Sequence, residues 1–130
     1  IHCNSNRIGF LKQDGNWGSY CNDDGSWTSA GDITAYSDER LKTNIKTIEN
    51  ALDKTLKMRG VSYNRTDSDD KSDKVGVIAQ EIISVLPEVV REGDDGMLSV
   101  SYGNIVGVLI EAIKEQQKQI DELKSRLNNL

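Results

Sequence analysis

From Val106 to the end of the chain, apolar residues recur at alternating spacings of three and four. With a at Val106 and d at Leu109, the series runs Ile113, Gln116, Ile120, Leu123, Leu127 and Leu130. This is a sustained heptad pattern with one polar position, Gln116. The outer positions carry Lys114, Glu115, Lys118, Asp121, Glu122, Lys124 and Arg126. A single helix with so narrow an apolar seam is marginal in water, so the seam must meet partner helices. Ile or Val at a with Leu at d nominally favours two strands, so the pattern alone does not specify three. A buried Gln at d would fix register at some cost in stability. Setting this helix aside leaves roughly 100 residues, near the lower limit for a self-sufficient core. The chain has 130 residues, 36% hydrophobic and 5% aromatic. Association between copies is therefore expected, and a large two-domain enzyme is excluded.

Charge and apolar runs exclude further classes. Sixteen basic and 21 acidic residues give a net charge of −5. Without a Lys/Arg cluster, the chain lacks the electrostatic footprint of a nucleic-acid or anionic-membrane binder. No apolar run approaches the ~18 residues of a membrane span. The longest, residues 105–110, is interrupted by Gly107. Cys3 and Cys21 are too few for a secreted disulfide scaffold. They either pair within the N-terminal β region or, as the simpler reading, stay reduced. The chain starts at Ile1 without a Met or signal peptide, which predicts a piece of a longer protein.

Three segments follow: 1–36, 37–101 and 102–130. The first is rich in Gly, Asn, Asp and Ser, and Asp14-Gly15-Asn16-Trp17 recurs as Asp24-Gly25-Ser26-Trp27. Asp-Gly before an aromatic residue is a hairpin signal, because Gly accepts positive φ and the aromatic opens the next strand. A β meander or the end of a fibrous β shaft is expected, with copies of itself, or more chain upstream, needed to bury its tryptophans. The second segment reads as α+β. Leu41, Ile45 and Ile48 are apolar among polar neighbours. A helix is predicted between Asn50 as N-cap and Gly60 as the residue past its end, with Leu52, Leu56 and Met58 at helical spacing. Val61-Ser62-Tyr63 alternates like a strand, and residues 64–74 read as a solvated acidic loop. Val75-Gly76-Val77-Ile78-Ala79 is a candidate buried strand whose Gly implies close backbone approach. A short helix over residues 80–86 should stop at Pro87. Residues 89–91 and 97–100 flank Gly93-Asp94-Asp95-Gly96 as a hairpin.

Where the β region ends stands Ala35-Tyr36-Ser37-Asp38-Glu39-Arg40-Leu41-Lys42. A Ser–Lys pair can carry acyl transfer: a desolvated neutral amine takes the hydroxyl proton, and the alkoxide attacks a carbonyl. Burial is what favours the neutral amine. Alone, the spacing is a weak signal, and an N-cap serine beside a solvated lysine explains it as well.

The surrounding residues carry more. Ser37-Asp38-Glu39-Arg40-Leu41-Lys42-Thr43-Asn44-Ile45 resembles the opening signature of the intramolecular chaperone domain, peptidase family S74, of bacteriophage tailspikes, tail fibres and endosialidases. The resemblance continues through Ala51-Leu52-Asp53, Gly60-Val61-Ser62-Tyr63, Val75-Gly76-Val77-Ile78-Ala79-Gln80-Glu81, Leu86-Pro87-Glu88-Val89-Val90 and the closing coiled coil. It implies an α+β chaperone core at 37–101, a β-rich fibre end at 1–36, and a helix at 102–130 forming a parallel trimeric coiled coil. It further implies a homotrimer that assists folding of the upstream fibre segment of the same chain and then cuts itself off. The nucleophile maps onto Ser37 and the general base onto Lys42, which places the scissile bond at Tyr36–Ser37. The cut-off part would act in the host cytoplasm during assembly, and the rest would belong to a virion tail fibre or tailspike. A surface receptor or glycan on the host is the partner such a mature fibre would meet. No cofactor is implied.

Other candidates carry less. Residues 67–73 superficially resemble a calcium loop but lack the Gly at loop position six and the Glu at twelve. His2 is the only histidine and has no ligand partners in the sequence, so no metal site is expected. Trp17 and Trp27 could stack on sugars, but packing between chains is the simpler role. Two alternatives therefore stand beside the self-cleaving chaperone. One is a structural trimerisation domain with no proteolysis, and the other is a carbohydrate-binding fibre tip.

Overall fold

The computed structural model describes residues 1–130. The chain divides into two units, Ile1–Asn44 and Ile45–Leu130. Both classes of element foreseen are present, strands and one long C-terminal helix, so the chain is α+β.

The first unit is an antiparallel meander of β1 (His2–Asn4), β2 (Arg7–Leu11), β3 (Trp17–Asn22) and β4 (Trp27–Ser29), in sheet order β1-β2-β3-β4. The two Asp-Gly repeats form its turns. Gly15 and Gly25 both take φ +82°, a conformation that L side chains resist. Asp14 and Asp24 each accept the backbone N–H two residues on, from Asn16 at 3.0 Å and Ser26 at 2.8 Å. Gly9 is the buried residue of β2, and a Cβ there would collide with the Ser19 carbonyl oxygen.

Register assigns the faces. Cys3, Ile8, Cys21 and Trp27 lie in one cross-strand row, and His2, Gly9, Tyr20 and Thr28 in the next. Successive residues point to opposite faces. Tyr20 has partners within the chain: the Arg7 guanidinium sits 4.3 Å from its ring centre and Trp17 meets it edge-on at 5.5 Å. His2 also meets Trp17 edge-on, at 5.2 Å. Ile8, Phe10 and Trp27 stay about half exposed. Cys3 and Cys21 are separated by β2 in the same row. Two strand spacings come to about 9–10 Å, beyond the reach of a disulfide. Both are free thiols, as the simpler sequence reading has it.

The second unit runs α1 (Ala51–Lys57), β5 (Val61–Tyr63), β6 (Lys74–Gly76), α2 (Ala79–Ile82), a 3₁₀ turn (Pro87–Val89), β7 (Val90–Glu92), β8 (Leu98–Val100), a second 3₁₀ turn (Tyr102–Ile105) and α3 (Val106–Asn128). β5 pairs with β6 and β7 with β8, each as a two-stranded antiparallel ribbon. The β7–β8 hairpin turns at Gly96, φ +78°, as foreseen. The core consists of Ala51, Ile82, Leu86, Val89, Val108 and Ala112, with Ile48, Leu52, Met58, Val77, Val90, Val100 and Ile105 packed around it. Ala51 and Ala112 are small, which lets α1 and α3 approach closely.

Several local readings need correction. Asn50 does stand at the α1 N-cap, but it adopts φ 55° and its side chain makes no cap bond. The orphan N–H groups of Ala51 and Leu52 are taken instead by the Glu115 carboxylate, at 2.9 and 3.3 Å. Glu115 is therefore the α1 cap supplied by α3, not an outer solvated charge. The helix ends at Lys57, and Gly60 is not among the glycines with positive φ. Val75 is 83% exposed, because a two-stranded ribbon covers only one of its faces. Pro87 opens a 3₁₀ turn rather than simply ending a helix. Gly76 does mark close approach: a Cβ there would lie 2.5 Å from the Tyr102 hydroxyl, which accepts the Val77 N–H at 3.2 Å.

Candidate functional site

Ser37 and Lys42 both lie in the first unit, after the sheet. One 3₁₀ turn, Glu39–Leu41, separates them. It is closed by Leu41 N–H to Asp38 O at 3.1 Å and Lys42 N–H to Glu39 O at 3.0 Å. Asp38 is its N-cap: the carboxylate Oδ1 accepts the Arg40 backbone N–H at 2.9 Å. The same carboxylate takes the Arg40 guanidinium in a fork, Nε to Oδ1 at 2.9 Å and a terminal nitrogen to Oδ2 at 2.8 Å. These bonds, the side-chain fork first, hold the Asp38 carboxyl below its ordinary range. After the turn, Lys42 returns to extended backbone, φ −124° and ψ 149°.

The turn brings the lysine back onto the serine. Lys42 Nζ lies 2.6 Å from Ser37 Oγ and 2.8 Å from the Ser37 carbonyl oxygen. The second contact fixes the amine beside the hydroxyl, since the carbonyl can only accept. A nucleophile and a base within hydrogen-bond reach satisfy the geometric requirement for an activated serine. Residues 36–42 are exposed, Tyr36 at 96% and Leu41 at 69%.

The heptad residues are also placed. Val106, Leu109, Ile113, Gln116, Ile120, Leu123 and Leu127 all lie on α3, whereas Leu130 follows the helix. Their side chains are largely exposed, Ile113 at 65%. The acidic loop 64–74 is fastened by its own cations. Arg65 pairs with Asp67, and Lys74 bonds Asp70 at 2.6 Å and Ser72 at 2.9 Å. Lys74, and secondarily Ser72, holds the Asp70 carboxyl well below the usual carboxylate range.

Two residues escaped the sequence reading. Asp38 stands in the quoted signature with no role assigned to it, yet it pairs with Arg40 and caps the turn. Glu115 was placed among outer charges, and no linear signal distinguishes a cap donated from another helix. For Asp38, an Asp two residues before a basic residue at the start of a turn was the available cue.

Residues 37–91 match the family model for the chaperone of endosialidase, Peptidase S74, whose match begins at Ser37. This stretch of the chain is thus similar to that family. The chain's relatives are tail-fibre proteins. The long tail fiber protein Gp37 of Enterobacteria phage T2 is 37% identical over 134 residues, covering 98% of this chain and 10% of that protein. The protein of the same name from Salmonella phage S16 is 33% identical over 138 residues, 99% of this chain and 17% of that protein. That of Enterobacteria phage M1 is 37% identical over 118 residues, covering 80% and 47%. The chain thus spans about a tenth of the T2 relative and less than half of the M1 relative.

Proposed function

We propose that this chain is part of a phage tail fibre whose residues from Ser37 onward act as a trimeric intramolecular chaperone and release themselves by cutting Tyr36–Ser37. The observation that supports cutting is the 2.6 Å approach of Lys42 Nζ to Ser37 Oγ. The exposed heptad seam supports assembly, and the fibre relatives support the setting.

In this reading Lys42 takes the Ser37 hydroxyl proton, and Oγ attacks the carbonyl carbon of Tyr36. The Tyr36–Ser37 C–N bond breaks, and the proton passes to the Ser37 nitrogen. An ester joins Tyr36 to Ser37 Oγ. Water hydrolyses it to a Tyr36 carboxylate, and the Ser37 hydroxyl is restored on a new N-terminus. The lysine must act as a neutral amine, which removal of water favours. Partner chains packed over the exposed dyad would supply that desolvation, so assembly and cleavage become coupled.

The coupling has a use. A fibre built from non-local strand pairings folds slowly and is prone to aggregate. A coiled coil converts later association steps into intramolecular ones. Removing the chaperone afterwards leaves a product that is kinetically difficult to unfold. The exposure of the dyad in the single chain favours one second reading, a trimerisation domain that never cuts.

The two are separated by mass spectrometry of the chain extended upstream into its fibre. A fragment beginning at Ser37 is expected. Ser37→Ala and Lys42→Ala should both stay uncut and still trimeric. Normal cutting by Lys42→Ala would refute the dyad, and an uncut parent would favour the structural domain.

A further inference from the structure

The proximity of Ser37 and Lys42 is a property of the backbone between them. Five residues of extended chain reach about 16–18 Å, so the two side chains meet only if the intervening chain folds back. That fold is a single 3₁₀ turn, Glu39–Leu41, with two backbone bonds of its own. A turn this short is weak, because 3₁₀ hydrogen-bond geometry is poor and nucleation is costly. Asp38 adds three bonds to it. It accepts the Arg40 N–H at 2.9 Å, Arg40 Nε at 2.9 Å and a terminal guanidinium nitrogen at 2.8 Å. The carboxylate thus ties the start of the turn to its middle, on the path that carries Lys42 back to the hydroxyl.

We infer that Asp38 is a positioning residue for the Ser37–Lys42 reaction, its carboxylate capping the turn that returns Lys42 to Ser37. This rests on the protease reading. Asp38 takes no proton and contacts neither reacting atom. It raises the fraction of chains in which amine and hydroxyl are in register. A carboxylate at the start of the turn could instead act on Lys42 through its charge, and the two modes differ in one respect. Asn caps a turn about as well as Asp but carries no charge.

The test uses the chain extended upstream into its fibre, with fragment release followed over time. Asp38→Ala is expected to slow release about tenfold, the effect of losing a cap. Asp38→Asn should stay within about threefold of the parent, because the acceptor to the Arg40 N–H survives. A second measurement is independent of cleavage: in a Ser37→Ala background, hydrogen exchange at the Arg40 amide should be protected with Asp38 or Asn and fast with Ala. Release from Asp38→Ala at the parental rate would overturn the positioning claim alone, as would equal slowing by Asn and Ala or an unprotected Arg40 amide with Asp38 present. An uncut parent would overturn the protease reading itself, and with it the role of Asp38.

Discussion

Helix α3 presents two apolar faces that differ in what covers them. Val108 and Ala112, with Glu115 in line, face α1 and are buried in the core. Val106, Leu109, Ile113, Ile120, Leu123 and Leu127 lie about 100° further round the helix, and no element of their own chain covers them. The buried face is short and ends at Glu115, while the seam continues along the rest of the helix. The first eight to ten residues of the helix are thus anchored to the chain's own core, and the remainder has an apolar stripe and nothing to pack on. One face completes a small domain, and the other is the exposed seam proposed to meet other copies of the chain.

Substitutions on the two faces should separate these roles. The largest effect is expected on the seam. Ile120→Asp would place a charge from every copy into the proposed helix interface, and burial of unpaired charge is heavily disfavoured. Assembly measured by sedimentation should weaken by on the order of 10²-fold or more, while far-ultraviolet circular dichroism of the second unit changes little. Ile82→Ala acts on the other face. It opens a cavity at a fully buried site and should cost about 2–5 kcal/mol in urea unfolding of the second unit. If Ile120→Asp instead unfolded the core as Ile82→Ala does, the division of α3 into two faces would be wrong.

Glu115→Ala is intermediate. It removes the acceptor for two backbone N–H groups of α1 and should cost about 1–3 kcal/mol, with Glu115→Gln partly restoring it. The smallest effect concerns acid. Asp38, Asp67 and Asp70 have carboxyls held below their ordinary value by cationic neighbours. Such groups favour the folded state above the unfolded carboxylate range and lose that contribution as pH falls through their lowered values. All three are exposed, so the effect on stability should be slight and should shrink further in salt. Lys74→Ala should move the Asp70 titration back toward ordinary carboxylate pH in an NMR experiment.

How much of this could be read from residues alone depended on whether the determinant was local. The Asp14-Gly15 and Asp24-Gly25 turns could, because positive φ at Gly is a property of the turn itself. The exposed apolar stripe of α3 could, because spacing alone defines it, and its role as a coiled-coil seam is part of the proposal. The second face of α3 could not: Val108 and Ala112 are few and small, and the heptad obscures them. Glu115 could not, because its partner N–H groups lie more than sixty residues away in sequence. Val75 was misread because an apolar run does not tell which side of a ribbon is covered. At the candidate site, the types and spacing of Ser37 and Lys42 were visible, while the 3₁₀ turn that joins them and the Asp38 cap emerged only in three dimensions.

The coupling of assembly to cleavage is tested most directly by the rate of release of the Ser37 fragment, measured against chain concentration in the parent and in Ile120→Asp. Assembly-gated cutting predicts a parental rate that rises steeply with concentration and then saturates, and little release from Ile120→Asp at any concentration. Release from dissociated Ile120→Asp chains at the saturated parental rate, independent of concentration, would contradict it.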